Sequence, residues 1–203
     1  MTTLFSRRRA LSLFAASAFA ALTVAEAAAN ADAEAEAYIA RIGKDVLRLA
    51  NAGTRGKATR NKFAVMLSKY VNLRGITMAS LGTYQKQLPP GDKDMLNDLV
   101  TTYAAALFAW YVDDFKGQDF VVDRTAKQGK YLLVYSKIVK SGGADEPIVW
   151  YLSPQGGGYR IVDLSVLGVR LSSAMRQRFS DELKKSKGDF KPLYAMLREA
   201  ETW

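Results

Sequence analysis

Apolar side chains recur at helical spacing as far as Tyr111, alternate from Asp119 to Leu167, and return to helical spacing after Gly168. Ile39, Ile42, Val46 and Leu49 share one face of a first helix, with Arg41, Lys44, Asp45 and Arg48 on the other. Asn51–Gly56 is a loop, and a second helix covers 57–71 with Phe63, Met66, Tyr70 and Val71 inward. Asn72-Leu73-Arg74-Gly75 breaks it, and a short helical segment, Ile76 to Leu81, ends at Gly82. Pro89-Pro90-Gly91 then stops the chain before the longest helix, about 92–115, which Asp92 or Asp94 can cap. Its stripe is Leu96, Leu99, Tyr103, Leu107 and Trp110.

Four strands follow, Asp119–Thr125, Lys130–Lys140, Pro147–Ser153 and Tyr159–Leu167, joined by short Gly-rich connectors that predict an antiparallel meander. Two helices close the chain, Leu171–Lys185 and Phe190–Ala200, the second capped by Asp189. The pattern predicts one α+β domain. N-terminal helices and one long amphipathic helix pack on a curved four-stranded antiparallel sheet, and two C-terminal helices close it.

The first residues belong to a different category. Arg7, Arg8 and Arg9 precede a fifteen-residue apolar run, Ala10 to Val24, and small-residue sites follow through Ala31. This predicts a cleavable signal peptide over 1–29, with a single domain over 30–203. The arginines fit either a twin-arginine or a general secretory signal. Removing 1–29 takes away three arginines and Glu26, so the formal charge falls from +9 to +7. Export argues against nucleic acid as the partner of that positive field and favours anionic membrane surfaces or acidic proteins.

The chain contains no cysteine and no histidine. Disulfides, thiol nucleophiles, serine–histidine catalysis and Cys/His zinc sites are therefore excluded. Neither a metal nor a cofactor is expected. An enzyme would have to work through carboxylates, Lys, Arg or Tyr.

Several segments resemble one family. They are Ile76–Tyr84 (ITMASLGTY), Tyr103–Leu107 (YAAAL) and, above all, Tyr159–Leu171 (YRIVDLSVLGVRL). In this order and spacing they resemble the MlaC-type periplasmic phospholipid-binding proteins, which include the toluene-tolerance and hopanoid-associated (HpnM) branches. The resemblance covers roughly 35–203. The chain departs from the pattern at Leu167, where an acid is common, at Arg170, where serine is usual, and at Tyr159, where tryptophan is frequent.

The resemblance implies a periplasmic carrier with an apolar cavity for the acyl chains of a phospholipid, hopanoid or related membrane lipid. Its implied partners are an inner-membrane ABC transporter complex and an outer-membrane lipoprotein complex. Candidate cavity residues are Leu81, Tyr84, Tyr103, Leu107 and Trp110 from helices, with Val134, Trp150, Val162, Leu164 and Val166 from strands, and Val169 just past the break at Gly168. From the residues alone a solid core is the favoured reading of these side chains, and only the resemblance reverses that in favour of a cavity. Val162, Leu164 and Val166 are chosen for the inner face of the last strand because that alternate set is uniformly apolar.

Asp163 on the opposite face is read as an acceptor beneath a helix. Arg170, Arg176, Arg178, Lys184 and Lys185 form either a solvated helix face or a docking patch. Two other classes stay open. One is an isomerase-type enzyme using Asp163, Asp119 or Asp123 as a base. The other is a solid-core interaction protein of the envelope.

Overall fold

The computed structural model describes side chains for residues 29–140 and 142–203, and helix backbone back to Arg8. The signal-peptide expectation thus falls almost wholly on residues whose side chains lie outside that range. The helices are α1 (Arg8–Ala52), α2 (Lys57–Tyr70), α3 (Leu73–Leu81), α4 (Lys93–Trp110), α5 (Leu171–Lys185) and α6 (Lys191–Glu199). The strands are β1 (Asp119–Gln128), β2 (Tyr131–Val139), β3 (Glu146–Gln155), β4 (Gly158–Val166) and β5 (Val169–Arg170). Short 3-10 segments cover Gly82–Gln87, Val112–Phe115 and Ala200–Thr202. Among the described residues, no helix is long and apolar enough to cross a membrane.

The strands form one antiparallel sheet in sequential order, which is the expected meander with five strands in place of four. The fifth was illegible for a physical reason. It has two residues, too few to show alternation, and its turn is Leu167-Gly168 in place of the Asn-Gly or Asp-Gly that usually marks a tight hairpin.

A second departure from simple alternation lies in β4. Trp150 pairs with Leu164 and Tyr151 with Asp163, but Leu152 then pairs with Ile161, so Val162 is an unpaired bulge residue. The inward face accordingly runs Val166, Leu164, Ile161. The bulge removes Val162 from the set that strict alternation assigned to the inside.

The helical half also needs one correction. The second helix does end before Asn72, at Tyr70, but Leu73–Gly75 already belong to α3, which Asn72 starts, since its side-chain oxygen accepts from the Gly75 N–H at 3.0 Å as the cap. On α4 the buried stripe is Leu96, Leu99, Val100, Ala105, Ala106 and Ala109, while Trp110 is 49% exposed. Ala105 and Ala109 are small enough to let α2 and its Phe63 approach closely, so small side chains on α4 go inside and the large Trp110 goes to the rim.

The C-terminus is tied down by a buried cation. The Arg60 guanidinium donates to the carbonyls of Ala200 and Glu201 at 2.8 and 2.7 Å, where the last turn leaves carbonyl oxygens unpaired. Tyr194 donates its hydroxyl to Asp92 at 2.8 Å, so the Asp92 carboxylate is engaged there, and Asp92 holds the N-cap position of α4 without a side-chain cap hydrogen bond. Burial, and then the hydrogen bond to Asp92, push the Tyr194 hydroxyl pKa up from its ordinary 10.0. A group whose pKa is raised by folding stabilises the native state while protonated and loses that contribution as pH rises above the unfolded value. Raising the pH past about 10 is therefore expected to lower the melting temperature of the wild type more steeply than that of Tyr194→Phe, measured by thermal scans between pH 8 and 11.

Candidate functional site

A cavity of about 140 Å³ lies between the inner faces of α1 and α2 and one end of the sheet. The sheet register explains its floor. Phe120, Ile138 and Glu146 form one rung across β1–β3, Ile148 and Val166 pair on the next, and Trp150 with Leu164 follow. The helices supply Ile42, Val46 and Leu47 from α1 and Phe63, Met66, Leu67 and Tyr70 from α2, with Phe108 and Phe115 at one end.

Two polar groups on this surface are internally satisfied. Trp150 donates its indole N–H to Ser136 Oγ at 2.7 Å, which leaves the ring edge apolar toward the cavity. Glu146 is ion-paired to Lys140. On the other side, an open depression lined by Lys44, Arg48 and Asp119 shares Leu47 and Phe120 with the cavity. The dry interior thus ends at charged rims.

Gly43 sets the distance between α1 and β1. A Cβ built there would stand 2.2 Å from Phe120 Cδ1 and 2.4 Å from Cε1, so the ring occupies the space a larger residue would need. The Phe120 ring in turn meets Trp150 edge-on, with centroids 6.2 Å apart. A glycine in the middle of an otherwise good helix was the available clue to this close approach, and it was not used.

Leaving the cavity, β4 turns through Leu167-Gly168 into β5 and then α5. Asp163 holds this joint from the outer face of the sheet and is 3% exposed. It accepts from the Leu164 and Ser172 N–H groups at 3.0 and 3.1 Å, from Ser172 Oγ at 2.6 Å, and from Arg170 Nε at 2.9 Å. A second guanidinium nitrogen of Arg170 lies 2.7 Å away. No residue at the start of α5 caps it with its own side chain, and Asp163 takes that place from the neighbouring strand. The carboxylate is an acceptor beneath a helix, with its lone pairs committed to structure.

Of the eleven residues singled out from the sequence, Trp150, Leu164 and Val166 line this cavity. Leu81 and Val134 are buried in the main core away from it, and Tyr84 packs at that core's edge. Tyr103, Leu107 and Trp110 lie along α4 against Trp203, where Leu107, Trp110, Tyr111 and Trp203 form a shallow aromatic depression of their own. Val169 is 61% exposed. The contributors from α1 and α2 escaped notice as cavity residues because an apolar helix face looks the same whether it meets a core or a void.

Three of the five basic candidates are engaged within the molecule. Arg170 holds Asp163, Arg176 donates to the Ala79 carbonyl at 2.7 Å, and Arg178 lies over the Tyr103 ring at 5.7 Å. Lys184 is exposed, and Lys185 makes only a long 4.0 Å approach to Glu182. Among the described residues, no three side chains of His, Cys, Asp or Glu converge as a metal site would require.

Comparison with known proteins bears on the fold and the family. The family model described as MlaC protein matches residues 41–199. A structure of the phospholipid-binding protein from Ralstonia solanacearum in complex with a phospholipid superposes with a TM-score of 0.67 at 18% identity, covering 85% of this chain and 98% of that one. No curated protein sequence matches the chain.

Proposed function

The chain belongs to the MlaC family, and from that premise we propose that it is a lipid carrier that shelters acyl chains in the cavity between α1, α2 and the sheet. The observation that carries the proposal is the chemistry of that cavity. Nineteen residues line it, and Glu146 is the one charged side chain among them. An acyl chain of about sixteen carbons, at ~0.8 kcal/mol per methylene, gains on the order of 12 kcal/mol on leaving water. Such a molecule needs a dry container to cross an aqueous compartment. One that is apolar along its length and polar at one end also matches an apolar interior that ends at charged rims.

The cavity is small against the ~300–1,000 Å³ typical of drug-sized ligands, so loading requires the helices to move off the sheet. Met66 and Leu67 on α2 are side chains that can repack as this happens. In the full proposal the protein works in the periplasm after removal of residues 1–29. It passes phospholipid, or a hopanoid-like lipid, between an inner-membrane ABC transporter complex and an outer-membrane lipoprotein complex. Lys184 and Lys185 are the basic residues proposed for docking, since the three arginines, although exposed, are engaged within the molecule.

The function is binding without catalysis. An isomerase-type base would have to be a carboxylate in the cavity, but Asp163 lies on the other face of the sheet, Asp119 and Asp123 are not in the lining, and Glu146 is ion-paired to Lys140. Solvent extraction of the purified protein followed by mass spectrometry tests the carrier reading. About one lipid per protein is expected, and a protein that carries none and takes none up from vesicles would sink it.

A further inference from the structure

Beyond the cavity, the hairpin that joins β4 to β5 combines two features that stability alone disfavours. Val166 pairs with Val169, and the two residues between them, Leu167 and Gly168, both have positive φ, at 51° and 82°. This is the pattern of a type I′ turn, whose first position favours Asn, Asp or Gly because a left-handed backbone brings Cβ close to the following carbonyl oxygen, a cost that Gly escapes and that Asn and Asp offset by local hydrogen bonds. Here that position carries leucine, 61% exposed, with Val169 also 61% exposed and Val166 36% exposed. The tip is nevertheless firmly placed, because the Leu167 N–H donates to the Pro147 carbonyl on β3 at 3.0 Å.

We propose that Leu167, with Val166 and Val169, is a membrane-contacting tip that dips into the lipid surface with which the protein exchanges its cargo. For its direction this rests on the carrier reading above. Val166 belongs both to the tip and to the cavity lining, so whatever covers the tip adjoins the cavity. The tip presents one leucine and two valines, too little surface for a stable protein interface of ~1,200–2,000 Å², and it lacks the Trp, Tyr and Arg that dominate protein contacts. Small aliphatic side chains at the end of a rigid turn suit shallow insertion between lipid headgroups. The excess of positive charge, +7 once residues 1–29 are removed, suits an anionic surface.

The test uses Leu167→Asn and Leu167→Phe beside the wild type, all isolated from cells in the same form so that any N-terminal segment is common to the three. Association is measured by sedimentation with sucrose-loaded vesicles of phosphatidylglycerol and phosphatidylcholine in equal parts. Leu167→Asn is expected to weaken vesicle association about tenfold, from the lost apolar contact. It should also raise the melting temperature by about 2–4 °C, since asparagine accepts the left-handed backbone, and leave the lipid carried per protein unchanged. Leu167→Phe should tighten association.

Opposite signs on stability and on vesicle binding are something a purely structural turn cannot produce. Vesicle association equal in all three proteins overturns the tip, and so does loss of binding to a partner protein with vesicle binding intact. If the wild type carries no lipid yet sediments with vesicles through Leu167, the carrier reading fails and the tip stands.

Discussion

Replacing Asp163 with alanine is expected to destabilise the protein by about 3–5 kcal/mol, since it strands several donors at about 1–3 kcal/mol for each one left buried without an acceptor. For a chain of this size that lowers the melting temperature by roughly 10 °C. The carboxylate, in a residue 3% exposed, answers two backbone N–H groups, one hydroxyl and the Arg170 guanidinium, and alanine leaves the N–H groups and the hydroxyl without this acceptor while the half-exposed guanidinium can turn to water. Asparagine retains one acceptor oxygen and should recover part of the loss. Arg170→Ala, which removes an arginine whose side chain is 45% exposed, should cost much less. Thermal melts rank the three variants, and hydrogen exchange locates the damage at the first turn of α5. If Asp163→Ala melts with the wild type, the carboxylate does not hold the β4–α5 joint.

The second large effect is on loading. Gly43→Ala puts a methyl 2.2 Å from the Phe120 ring, so the ring must turn toward the cavity or α1 must lift from β1. Overpacking of this kind costs about 1–3 kcal/mol. The displaced ring also takes volume from a cavity of only about 140 Å³. The lipid carried per protein, read by mass spectrometry, is expected to fall by roughly half or more, with a melting temperature several degrees lower. Trimming the ring in a Gly43→Ala/Phe120→Leu double variant should restore loading, because two residues in contact couple by about 0.5–3 kcal/mol. Full loading in Gly43→Ala would mean that acyl chains do not lie against Phe120, and the cavity described here would not be the binding site.

These two residues show how far a sequence can be read. Asp163 was recognisable as a structural acceptor because a lone acid in an apolar strand just before a helix has few stable alternatives. Its partners were not recognisable, since Ser172 and Arg170 meet it only after the chain has turned through two left-handed residues. Gly43 was visible as a glycine inside a helix, but the ring that excludes a side chain there lies on β1, 77 positions further on. Trp110 misled for a related reason. Size and hydrophobicity placed it inside, whereas the side of α4 that meets α2 carries Ala105, Phe108 and Ala109, and Trp110 is left 49% exposed.

Periodicity and turn chemistry alone determined the α+β class, the division into helices and an antiparallel meander, and the α5 span from Leu171 to Lys185. All of these are local, because a residue and its neighbours three or four positions away are enough to set the period. Only the tertiary structure decided which apolar faces enclose a cavity and which simply pack, that the bulge at Val162 turns Ile161 inward, and that Leu167 stands strained and exposed at a hairpin tip. Each depends on what faces a side chain across the fold, and the pattern along the chain records burial without recording what does the burying.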